Sequence, residues 1–148
     1  MTNIPDRLFV GKGDIELYNQ LQQEWILRGK SRKQQFMLAM AFGFKNQVSE
    51  GLDQQQEFFR REYLRTEDEA LLYAVAIKTK DNLNIIRDIA GVYNIAQEYA
   101  HAGIRLLADE IAGTGFGSFE KKYEKSLSGI FDEIIKKSND GYEVEDQL

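Results

Sequence analysis

With 148 residues, 43% of them apolar and 29% charged, the chain has length for one domain with a real core and too little for two independent ones. The absence of cysteine excludes disulfides, thiolate zinc sites and cysteine nucleophiles, and the single proline, Pro5, leaves long helices uninterrupted. The net charge of −5 is uneven: residues 1–50 carry seven Lys/Arg and five acids, the remainder 12 and 19, so only the N-terminal third suits a polyanion.

The first residues show neither the basic nor the apolar region of a secretory signal, and no apolar run approaches the roughly 20 residues needed to span a bilayer. The expectation is a cytoplasmic protein with no membrane contact. The fold class expected is all-α, one domain over 1–148, with five or six helices and at most one short N-terminal strand. Within it, 1–50 forms a basic part, 66–137 an acidic helical part and 138–148 a frayed tail.

Residues 6–12 read as a short strand or extended arm. A helix is expected over 14–27, where Leu17, Leu21 and Trp25 recur at four-residue spacing and Gly29 stops the run. Ser31 and Gln34 form a capping-box pattern that opens the next helix. That helix carries the most informative feature of the chain, the unbroken apolar run 36–44, and ends near Lys45 and Asn46. A helix apolar on nearly every side belongs at the centre of a core. Its basic entrance then lies at a helix N-terminus, which favours anions.

Residues 52–64 are ambiguous: Gln and Glu favour helix, whereas Phe58 to Tyr63 also suits an extended segment. Thr66 and Glu69 suggest a second capping box, opening a helix over 67–78. Asp81 is placed to cap a helix beginning near residue 83, whose apolar positions continue to Ile111 as one helix or as two broken at Gly91 or Gly103. Residues 113–117 read as a flexible link, and Ser118 caps a last amphipathic helix that includes Phe119, Tyr123, Leu127 and Ile134.

The order strand, helix, basic turn, apolar helix over the first 45 or so residues resembles the ribbon-helix-helix DNA-binding family. That resemblance implies a homodimer, because a lone ribbon leaves its edge unpaired. It also implies that Lys30, Ser31, Arg32 and Lys33 face phosphate. With Leu8 and Val10 inward, Arg7, Phe9 and Gly11 lie on the groove side, and of these only Arg7 can read base edges. A compact helical chain with a basic turn is also similar to the DndE-like group of small proteins associated with DNA phosphorothioate modification.

The segment 58–63 interleaves aromatics with arginines, and Phe58, Arg60, Arg61 and Tyr63 suit a protein interface or base stacking. Glu98 and His101 have the spacing of half a di-iron site, but His101 is the only histidine. The glycines of 113–117 follow a helix and not a strand, so they do not form a dinucleotide fingerprint. No catalytic constellation, cofactor or metal is therefore expected. The reading is a non-enzymatic DNA-associated accessory or regulatory protein using the turn 30–33. The alternative is a helical protein-interaction subunit with no nucleic-acid role.

Overall fold

The computed structural model describes residues 4–24 and 27–114. In chain order they form β1 (Arg7–Gly11), α1 (Asp14–Leu21), α2 (Arg32–Lys45), β2 (Gln55–Arg60), α3 (Thr66–Lys80) and α4 (Ile89–Thr114), with 3-10 turns at Arg61–Tyr63 and Leu83–Arg87. The protein is mostly helical, as expected. Among the described residues, however, there are four α-helices and two strands, where five or six helices and at most one strand were expected. The expected helix after Ser118 and the tail 138–148 lie outside the described residues, as does Trp25. Among the described residues no helix is long and apolar enough to cross a membrane.

α2 begins where its capping box demands. Ser31 Oγ accepts from the Gln34 amide at 3.2 Å, and Gln34 Oε1 accepts from the Ser31 amide at 2.9 Å. Everything on it from Gln35 to Gly43 is buried. Its main partner is α4, and two glycines let the helices meet backbone to backbone. A Cβ on Gly103 would fall on the carbonyl oxygen of Ala39, and one on Gly43 would fall on that of Tyr99. Phe44, at the end of the run, is half-buried and meets the Tyr99 ring edge-on at 5.5 Å.

The ribbon expectation needs correction. β1 pairs antiparallel with β2 of the same chain, with Arg7 opposite Arg60 and Leu8 opposite Phe59. Its other edge is taken by side chains: the Phe9 amide donates to Gln97 Oε1 at 3.0 Å and the Gly11 amide to Asp14 Oδ2 at 3.1 Å. Among the described residues β1 thus has its strand partner within the same chain, and an unpaired ribbon no longer argues for a second copy. The ambiguous stretch 52–64 resolves as β2 and a 3-10 turn, because its alternation is used by pairing with β1.

Several boundaries also move. α1 stops at Leu21, before the expected end at 27. α3 starts at Thr66, with Arg65 as its cap residue, so Thr66 is the first helical residue and not the cap. Asp81 closes α3 in the left-handed region (φ 51°), and the next segment is a 3-10 turn capped by Asn82. α4 is one helix through Gly91 and Gly103. At its start the Asp88 carboxylate accepts from the Gly91 amide at 3.0 Å.

Candidate functional site

The register of the ribbon skips Phe58, so Leu8 faces Phe59 while Phe9 faces Glu57. Such a bulge re-aims the side chains beside it. Phe59 packs into the core, edge-on to Phe36 at 5.4 Å, and Phe58 lies 4.5 Å from the Tyr18 ring. Leu8 and Val10 are buried, as alternation requires, but Gly11 is buried as well. A Cβ there would press on the His101 ring, so Gly11 does not face a groove.

Beside the bulge, the ribbon and the N-termini of α2 and α3 enclose a cleft of about 750 Å³. Arg7, Arg32, Lys33, Arg60 and Arg65 line it, together with Ser31, Phe58, Tyr63 and two acids, Glu57 and Glu62. Two groups of residues that look unrelated in sequence, the basic turn and the aromatic–arginine segment, thus face one space. Lys30 is exposed and Arg61 turns away, donating from Nε to the Tyr93 hydroxyl at 2.9 Å. Burial pushes the Tyr93 phenol up, and the Arg61 bond opposes it.

The cations of the cleft are not equivalent. Lys33 Nζ sits 2.7 Å from Asp68 Oδ2, with both side chains largely covered, so much of its charge is already answered. Asp68 Oδ2 also accepts from the Arg65 amide at 2.8 Å, so one oxygen caps α3 and anchors α2. Arg32 lays its guanidinium 4.9 Å from the centre of the Phe58 ring. Its Nη1 is buried with no hydrogen-bond acceptor among the described residues. Arg7, half-buried, pairs with the exposed Glu57 at 3.4 Å, and Arg60 pairs with Glu62 at 3.3 Å in a solvent-exposed contact that an incoming anion can displace at little cost. Arg65 was not singled out from sequence, although its place next to a helix start was the available signal.

His101 takes no part in this cleft. Its Nδ1 lies 2.5 Å from Asp14 Oδ2, and among the described residues no group of three or more His, Asp or Glu side chains is placed to hold a metal.

A family model described as "DNA sulphur modification system-associated protein 4" matches residues 10–140 of the chain. No curated protein and no solved structure matches it.

Proposed function

The chain belongs to the DNA sulphur modification system-associated protein 4 family, and from that premise we propose that it is a non-enzymatic accessory protein that contacts the DNA phosphate backbone through the cleft between the ribbon and the N-termini of α2 and α3. The observation that supports this reading is the convergence of five basic side chains on one cleft in a chain whose net charge is −5. Positive charge concentrated on one face of an acidic protein orients it on a polyanion and keeps its other faces away. Helix N-termini with arginines nearby suit phosphate oxygens. Because Lys33 is committed to Asp68, Arg7, Arg60, Arg65 and the exposed Lys30 supply most of the available charge.

Titration of a short duplex at increasing salt tests the proposal. The logarithm of affinity should fall by about 0.9 per phosphate contacted for each unit of log salt. Replacing Arg60 and Arg65 together by Gln should weaken binding and flatten that slope. Absence of binding at low salt ends the proposal. A second reading draws on Tyr63, which is 60% exposed beside Arg60: Tyr and Arg are frequent interface anchors, so the same surface also suits a protein partner of the modification system. Partner capture that survives high salt, with no DNA binding, favours that reading.

A further inference from the structure

The geometry points to an unpaired nucleotide as the unit this cleft receives, with Tyr63 as its stacking platform; the inference rests on the phosphate contact proposed above. A phosphate alone needs charge and no aromatic wall. This cleft has both, and at about 750 Å³ it is larger than a phosphate requires and within the range of small-ligand sites. Tyr63 ends the 3-10 turn that follows β2, between Arg60 and Arg65 in the chain; it lines the cleft and is 60% exposed. An exposed ring that shares a cleft with several cations suits a base together with its phosphates. Bases inside a duplex are stacked on one another and offer no free face, whereas an unpaired base does.

The second wall supports the same occupant. Arg32 sets its guanidinium 4.9 Å from the centre of the Phe58 ring, so the cleft has an aromatic wall with a cation against it on this side too. Glu57 and Glu62 stand on the same cleft, 62% and 63% exposed at their side chains. Their charge disfavours a backbone running on past the site, which limits the cleft to a local break in pairing rather than a long single strand.

Three probes of one sequence separate the possibilities: an intact duplex, the same duplex with a one-nucleotide 2-aminopurine bulge, and the single strand. The bulged duplex should bind at least about five-fold more tightly than the intact one, the low end for one base–aromatic stack, and its emission should fall on binding. Tyr63→Ala should remove that preference and the emission change; Tyr63→Phe should retain both. Equal affinity for intact and bulged duplex with unchanged emission overturns the nucleotide inference and leaves the phosphate reading standing. The single strand binding as tightly as the bulge overturns the limit to a local break. No binding of any probe at low salt overturns both readings.

Discussion

His101 and Asp14 are 87 residues apart in sequence and 2.5 Å apart at Nδ1 and Oδ2, with both side chains buried. Asp14 opens α1, accepts from the Gly11 amide of β1, and faces Arg105 Nε of α4 at 3.6 Å; Arg105 in turn reaches Glu50 at 3.7 Å. One carboxylate therefore ties the ribbon, the first helix and the long helix together. A carboxylate at a helix start is favoured by the helix dipole; Oδ2 takes both hydrogen bonds, while the buried Oδ1 has no hydrogen bond among the described residues and faces only the Arg105 charge.

Asp14→Ala should cost about 3–5 kcal/mol, since it leaves His101 and the Gly11 amide without their acceptor in the interior. Asp14→Asn should cost less, because an amide oxygen can still accept from Gly11. Urea unfolding of the three proteins checks the order. Equal stability of wild type and Asp14→Ala would contradict the network.

At the α2–α4 crossing, Gly103→Ala should destabilise by roughly 1–3 kcal/mol or more, as overpacking does when neighbours cannot move. The obstacle is the Ala39 carbonyl, part of a helix backbone and not a flexible side chain. Gly113→Ala, near the end of the same helix, meets nothing within 4 Å and should be neutral or slightly stabilising. Melting temperatures of the pair report the contrast.

Tyr18 is buried and its hydroxyl has no hydrogen-bond partner among the described residues. Burial pushes its phenol well above the ordinary value of 10.0, Asp14 adds to the rise and Arg32 opposes it. With the folded-state value raised, the unfolded chain loses its proton first as pH increases. The stability contribution is thus complete below about pH 10 and declines above it. Tyr18→Phe should raise stability at neutral pH by about 1 kcal/mol by removing an unsatisfied polar group, and it should lessen the alkaline loss. Denaturant midpoints at pH 8 and pH 11 measure both effects.

Asp68 serves two elements with one oxygen, and the two roles separate. Asp68→Asn keeps an acceptor for the Arg65 amide, so the α3 cap survives, while the charge facing Lys33 disappears. If the cleft holds phosphate, DNA affinity should rise and the salt slope should steepen by about 0.9, one added phosphate contact. An unchanged slope would place Lys33 outside the contact surface.

Local patterns were legible in the sequence. The capping box at Ser31 and Gln34, the buried run through α2 and the long apolar repeat of α4 all rest on contacts within a few residues, which spacing reports directly. The residues of the cleft could also be nominated one by one: Arg7, Ser31, Arg32 and Lys33 from the basic end, and Phe58, Arg60 and Tyr63 from the aromatic segment.

What the sequence by itself determined is a helical core around α2 with positive charge at its entrance, because hydrophobic period and caps are properties of neighbouring residues. Only the tertiary structure decided that β1 pairs with β2 rather than with a twin, that the two candidate groups share one cleft, that Asp68 claims Lys33, and that the lone histidine serves Asp14. Strand pairing and buried charge pairs join residues far apart along the chain, and no local spacing encodes which distant partner is chosen.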